Sequence, residues 1–178
     1  GLLNAPDSYM EKLAIGPGYP AGIIDLDAPI AENIANVAKA KGVKISEITA
    51  CVLDRPRHAR LIEDIRATGA AIRLIGDGDV AGVIHTTDPE ETGIDIYAGI
   101  GGAPRMGISD IKRKYQLEEM ACGDVLFAAT GVTDGNFLQG VRFGRDRITT
   151  HTVVMRSSTG TVRYIKAQHT QVEKFHLD

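Results

Sequence analysis

Hydrophobic positions along this chain of 178 residues switch repeatedly between helical spacing and short continuous runs. A Gly/Pro-rich loop, Gly16-Pro17-Gly18-Tyr19-Pro20-Ala21-Gly22, precedes a helix start at Asp25-Leu26-Asp27-Ala28-Pro29. Asp27 or Ala28 falls near the cap, and Pro29 is tolerated in the first turn. Ile30, Ile34, Val37 and Ala38 then recur on one stripe, and Lys39, Lys41 and Gly42 supply a basic last turn and a stop. After a short turn capped by Ser46, Ile48-Thr49-Ala50-Cys51-Val52-Leu53 reads as a strand buried on both faces. Residues 57–68 predict a second helix, with Leu61, Ile62 and Ile65 inward and Gly69 at its end. Ala71-Ile72-Arg73-Leu74-Ile75 predicts a second buried strand. Asp79 predicts the cap of a helix through Val80, Val83 and Ile84. Ile94-Asp95-Ile96-Tyr97-Ala98 predicts a third strand.

The order strand, helix, strand, helix, strand implies an α/β fold, doubly wound, with helices on both faces of the sheet. Right-handed crossovers then bring the loops after the strands to one edge. Val125-Leu126-Phe127-Ala128-Ala129 reads as a fourth apolar strand. Residues 150–156 and 161–167 alternate about the turn Ser157-Ser158-Thr159-Gly160, which predicts an antiparallel hairpin at or near the sheet edge.

Composition narrows the class. Lys and Arg number 20 against 23 Asp and Glu, a net charge of −3, which disfavours nucleic acid as a general partner. No apolar run is long enough to cross a bilayer, so no membrane association is expected. Residues 1–7 lack the regions of a signal peptide, and the missing initiator Met suggests a processed or truncated chain. Cys51 and Cys122 lie in apolar contexts and read as reduced core residues of a cytoplasmic protein. The 20 glycines imply many tight turns, often beside ligands.

Chemistry concentrates in the three loops after the three strands, where open α/β sheets bind ligands. Arg55 and Arg57, in Asp54-Arg55-Pro56-Arg57-His58, are planar donor forks suited to phosphate or carboxylate. A solvated helix start is the plainer reading, though cations there oppose the helix dipole. Asp77 and Asp79 flank Gly78 and suit a hard cation or sugar hydroxyls. A turn and cap would use Asp79 alone. Gly99-Ile100-Gly101-Gly102 would let a ligand approach the backbone, but it is not GxGxxG. Tyr9, Glu11 and Lys12 are substrate contacts or a surface turn. The five histidines have no metal-ligand spacing, and Ser157-Ser158 lacks the setting of a nucleophile. Arg142, Arg145, Arg147, Arg156, Arg163 and Lys166 read as a solvated sheet face, with a subunit interface or an anionic effector site as the sharper alternative.

Taken together, Leu3-Asn4-Ala5-Pro6-Asp7-Ser8-Tyr9-Met10-Glu11-Lys12, Arg55-Pro56-Arg57-His58, Asp77-Gly78-Asp79-Val80-Ala81 and Gly99-Ile100-Gly101-Gly102-Ala103-Pro104 resemble class II fructose-1,6-bisphosphatase, the GlpX type. The cyanobacterial form that also hydrolyses sedoheptulose-1,7-bisphosphate is the nearest in appearance. Ala128-Ala129-Thr130-Gly131-Val132-Thr133-Asp134-Gly135 and the terminal hairpin match as well.

The resemblance implies the layered α/β sandwich of the lithium-sensitive, metal-dependent phosphatases, with a mixed sheet. It implies that Tyr9 contacts substrate, that Arg55 and Arg57 bind a phosphate, that Asp77, Gly78 and Asp79 hold sugar hydroxyls, and that Gly102 lies against the ligand. It further implies Mg²⁺ or Mn²⁺, a homotetramer, a candidate nucleotide effector, and roles in gluconeogenesis and the Calvin cycle. The chain departs from the family in two respects. The carboxylate motifs that hold the cations are absent, so the chain reads as the substrate-binding C-terminal half, inactive by itself. Arg105 stands where the family has a metal-binding Glu, and the helix expected next is missing, so residues 1–178 read as two segments joined across a gap at 104/105. The rival readings are a non-catalytic sugar-phosphate-binding or regulatory lobe and a plain α/β interaction domain.

Overall fold

Pro29 and Gly42 bracket the first helix, α1 (Ile30–Lys41). Pro29 stands just before the first helical residue and Gly42 adopts φ 75°, a left-handed stop. Asn33, almost fully buried, replaces the expected Asp27 or Ala28 cap as the organiser of this start. Its Oδ1 accepts from the Asp25 amide at 2.7 Å and its Nδ2 donates to the Asp25 carbonyl at 2.9 Å.

The computed structural model describes residues 9–102 and 114–170. Residues 1–8, the Pro104–Arg105 junction and His176 lie outside the described residues. The chain divides into two compact units, one reaching Lys114 and the other starting at Tyr115.

The first unit holds β1 (Tyr9–Ile15), α1, β2 (Thr49–Leu53), α2 (Ala59–Ala67), β3 (Ala71–Ile75), α3 (Asp79–His85), α4 (Pro89–Thr92) and β4 (Ile96–Gly102). The sheet order is β1-β4-β2-β3. β2 runs parallel to both β3 and β4, and β1 is antiparallel to β4. A mixed α/β fold was expected and is present.

Alternation along the strands assigns each sheet face its partner. Leu13, Ile15, Ala50, Val52 and Ile96 pack with Ile34 and Val37 of α1 and Ile62 and Ile65 of α2. Ala14, Cys51, Leu53, Ile75 and Tyr97 pack with Val83 of α3 on the other face. Each fully buried Val or Ile contributes roughly 1.5–3 kcal/mol. That burial is what holds α2, whose nine residues are too few for an isolated helix.

Several local expectations are corrected. The stretch of Tyr9, Glu11 and Lys12, read as polar or a turn, belongs to β1, which Leu13 and Ile15 anchor in one core and Ala14 in the other. Gly99-Ile100-Gly101-Gly102, read as a loop, is the second half of β4 and pairs with β1. Small residues there satisfy their backbone through the ladder. β3 is an edge strand with Arg73 and Leu74 exposed, where burial on both faces was expected. Glu47, not Ser46, closes the turn before β2, accepting from the Lys44 amide at 3.1 Å. Asp79 is the first residue of α3, and Gly78 precedes it at φ 81°.

The second unit contains α5 (Leu117–Met120), β5 (Leu126–Thr130), β6 (Arg142–Phe143), β7 (Ile148–Arg156) and β8 (Thr161–His169). β7 is the spine. β8 pairs along its full length, and β5 and β6 share its other edge. The expected hairpin is present, turned by Ser157–Thr159 and Gly160 at φ 58°. β5 belongs to this sheet rather than to the first, and Leu126 is exposed. Its outward positions are also apolar, which made a one-sided strand look buried. Cys122 is exposed, unlike Cys51. The late basic residues are exposed as expected; Arg142 pairs with Asp134 and Arg156 with Asp124.

Candidate functional site

The parallel strands deliver their loops to one edge of the first sheet, and β1 starts at that same edge. Tyr9 is paired in register with Gly102, the last residue of β4. β2 and β3 end together, with Leu53 opposite Ile75, and the Asp54 amide donates to the Ile75 carbonyl at 2.9 Å. Tyr9, Arg55, Arg57, Asp77, Gly78, Asp79 and Gly102 therefore gather along one rim of the sheet.

Arg57 occupies a short 3₁₀ turn, Pro56–His58, ahead of α2. Its Nε donates to the Ile100 carbonyl at 2.8 Å, and its guanidinium lies 5.1 Å from the centroid of the Tyr9 ring. The Ile100 carbonyl and the Tyr9 ring thus hold a cation that the sequence set against the helix dipole. With Nε occupied, the two terminal nitrogens remain as a fork for an anion.

His58 is completely buried behind this residue. The Ile100 amide approaches its Nε2 at 2.8 Å, and its Nδ1 lies 2.8 Å from the Leu53 carbonyl. An amide can only donate, so Nε2 accepts and Nδ1 carries the proton that bonds Leu53. One ring thereby ties the end of β2 to the end of β4.

Asp79 lies on the opposite face of the sheet rim. Its Oδ1 accepts from the Val80 amide at 3.0 Å, and its Oδ2 is ion-paired with Lys12. Both side chains are about a quarter exposed, at 27% for Lys12 and 24% for Asp79. A Cβ on Gly101 would fall 2.3 Å from Asp79 Oδ2 and 3.1 Å from Lys12 Nζ, so only glycine fits beneath this pair. The Tyr97 hydroxyl is buried on this face without a hydrogen-bond partner among the described residues. Burial first, and the Asp79 charge second, push its phenol well above the usual tyrosine range.

Arg55 and Asp77 are exposed, and Arg55 donates to its own loop, through the Asp54 carbonyl at 3.3 Å. Arg55 also lines a hollow of about 350 Å³ with Glu63 and Arg66. A cleft of similar volume lies on the α1/α2 face, between Arg57, Arg60, Asp25 and Asn33. The sequence left Lys12 open as a substrate contact or part of a surface turn, and it did not single out His58 or Tyr97 as parts of the site. Only knowledge that residues 9–15 form a strand beside β4 would have placed Lys12 against Asp79. Among the described residues no group of three His, Cys, Asp or Glu side chains is placed to hold a metal ion. Nor, among them, is any helix long and apolar enough to cross a membrane.

The profile of the family described as bacterial fructose-1,6-bisphosphatase, glpX-encoded, matches residues 1–105 and 104–169. The chain is 35% identical over 213 aligned residues to fructose-1,6-bisphosphatase 1 class 2 of Escherichia coli K12, covering 94% of this chain and 63% of that protein. Fructose-1,6-bisphosphatase class 2 of Shigella flexneri gives the same identity and coverage. The chain thus spans about 63% of the length of these relatives. With a family profile matched along most of its length, and the motif residues gathered on one sheet rim, the chain belongs to the bacterial glpX-encoded fructose-1,6-bisphosphatase family.

Proposed function

We propose that this chain is the substrate-binding part of a sugar bisphosphatase, a phosphoric monoester hydrolase that removes the 1-phosphate of fructose-1,6-bisphosphate. The observation that carries the reading is the shared rim. Arg57 offers a prealigned cationic fork on one face, and Asp79 offers an ionic acceptor on the other. A guanidinium suits a phosphate dianion, and a carboxylate suits hydroxyls while repelling an unshielded phosphate. The Arg57 guanidinium lies over the Tyr9 ring, and Gly102 is the partner of Tyr9 in the β1–β4 ladder. The chain's own contribution to rate is orientation, which holds the reacting phosphate at a fixed distance from whatever attacks it.

The finer reading also includes sedoheptulose-1,7-bisphosphate as a second substrate, a place in gluconeogenesis and the Calvin cycle, cytoplasmic location, a homotetramer with a nucleotide effector, and the layered sandwich of the lithium-sensitive phosphatases. Mg²⁺ or Mn²⁺ belongs to it as well. The cation-holding carboxylate motifs of the family do not occur in residues 1–178, which on this reading are inactive by themselves. A gap at 104/105 is supported by the family match, which falls in two pieces meeting there, and by an alignment of 213 residues against a chain of 178.

Isothermal titration of the chain with fructose-1,6-bisphosphate tests the reading. Saturable binding that Arg57→Ala and Asp79→Asn each weaken at least tenfold is expected, without phosphate release. Binding unaffected by both substitutions would overturn it.

A further inference from the structure

Lys12 closes the first motif of this rim but has no role in the proposed substrate contacts. It sits in β1 opposite Gly99 of β4, and its side chain crosses toward α3 to meet Asp79. β1 alternates: Leu13 and Ile15 face α1 and α2, while Ala14 joins the cluster under α3. Lys12 shares the parity of Ala14, so it is on the Asp79 face, away from the face where Tyr9 stacks on Arg57.

Three features fix the carboxylate of Asp79 at one place. The Val80 amide holds Oδ1, the Lys12 ammonium holds Oδ2, and the Gly101 backbone passes directly beneath both. Without Lys12, the Asp79 side chain would keep one local bond and could swing away from Gly101. Each oxygen of an ionised carboxylate accepts more than one hydrogen bond, so pairing with Lys12 does not exclude a ligand hydroxyl.

We propose that Lys12 is a positioning residue for hydroxyl recognition: it holds the Asp79 carboxylate aimed across Gly101, and it acts on the sugar through Asp79 rather than by touching the phosphate. This inference rests on the substrate-binding reading of the rim. It predicts a specific pattern of coupling, because residues that act as one unit are non-additive and residues on independent sides of a ligand are additive.

The test is isothermal titration of the full chain with fructose-1,6-bisphosphate for Lys12→Met, Lys12→Arg, Asp79→Asn, Arg57→Ala and the doubles Lys12→Met/Asp79→Asn and Lys12→Met/Arg57→Ala. Thermal melts exclude unfolded variants, and Lys12→Arg carries the test if Lys12→Met does not fold. Lys12→Met is expected to weaken binding about tenfold, and Lys12→Arg to restore it to within about threefold. The double with Asp79→Asn binds no worse than Asp79→Asn alone, while the double with Arg57→Ala shows the product of the two losses. Multiplying losses in the Asp79 double would overturn the proposal, since Lys12 would then act independently of Asp79. So would affinity unchanged in Lys12→Met, or unrestored in Lys12→Arg. If Arg57→Ala and Asp79→Asn weaken binding and Lys12→Met does not, this proposal alone fails. If the unsubstituted chain does not bind, or if Arg57→Ala and Asp79→Asn change nothing, the rim reading fails and this inference with it.

Discussion

His58 and Ile100, 42 residues apart, are joined at 2.8 Å by the Ile100 amide donating to His58 Nε2. The Ile100 carbonyl meanwhile accepts from Arg57 Nε at 2.8 Å. Consecutive residues of one turn therefore grip both polar groups of a single residue in the neighbouring strand. The grip decides where the Arg57 fork points.

Removing the ring should be felt in stability as well as binding. His58→Leu conserves apolar volume but leaves the Ile100 amide and the Leu53 carbonyl unpaired in a buried place. An unsatisfied buried group costs about 1–3 kcal/mol. Urea denaturation should show a lower midpoint with an unchanged slope. A midpoint equal to wild type would mean that water replaces the ring without penalty.

The two arginines should not be equivalent. Arg57 is held by Ile100 and Tyr9, whereas Arg55 is exposed and bonded to its own loop. Prealigned groups lose less entropy on binding. Arg57→Ala should therefore weaken sugar-bisphosphate binding more than Arg55→Ala, and Arg57→Lys should rescue poorly because an ammonium cannot bond Ile100 and present a planar fork together. Equal losses in titrations of the two alanine variants would contradict this.

Gly82→Ala should destabilise even though it favours a helix. Alanine gains about 1 kcal/mol over glycine within a helix. Here the added Cβ would fall 2.6 Å from two carbons of the buried Tyr97 ring, and overpacking of that kind costs about 1–3 kcal/mol. α3 must shift, carrying Asp79 with it. A lower melting temperature together with weaker ligand binding is expected; a raised melting temperature would show that the ring yields.

Alkaline stability should carry the signature of Cys51. Burial pushes this thiol from 9.0 up to about 11. The group is raised on folding, so the unfolded chain ionises first. Its contribution is fully present below pH 9 and is lost as the pH climbs from 9 to 11. Urea midpoints measured at pH 8, 9 and 10 should fall more steeply for the wild type than for Cys51→Ala. Parallel slopes would rule out Cys51 as the source.

Much of this was legible in the sequence wherever burial alone sets the pattern. The stripes of α1 and α2 and the run in β2 each report a residue's distance from one core. What escaped depended on pairing. β1 reads as polar because Tyr9 and Glu11 are exposed at the rim and Lys12 is spent on an ion pair with Asp79, so only its last three residues carry a core pattern. The end of β4 reads as a loop because glycines mark both turns and close approaches, and here the close approach is to Asp79 and Lys12. Arg55, Arg57, Asp77 and Asp79 could be chosen from loop position and donor type. That Arg57 and Asp79 would lie on opposite faces of the rim required knowing the register.

The antiparallel pairing of Tyr9 with Gly102 also has a kinetic meaning. The first strand of the unit pairs with the last, so the rim exists only after the whole intervening chain has been made and folded. Closing so long a loop is among the slower and entropically costlier events available to a small α/β unit. Ligand affinity should therefore appear late in refolding, after the helical signal has recovered, and sugar-bisphosphate binding becomes a clock for completion of the first sheet.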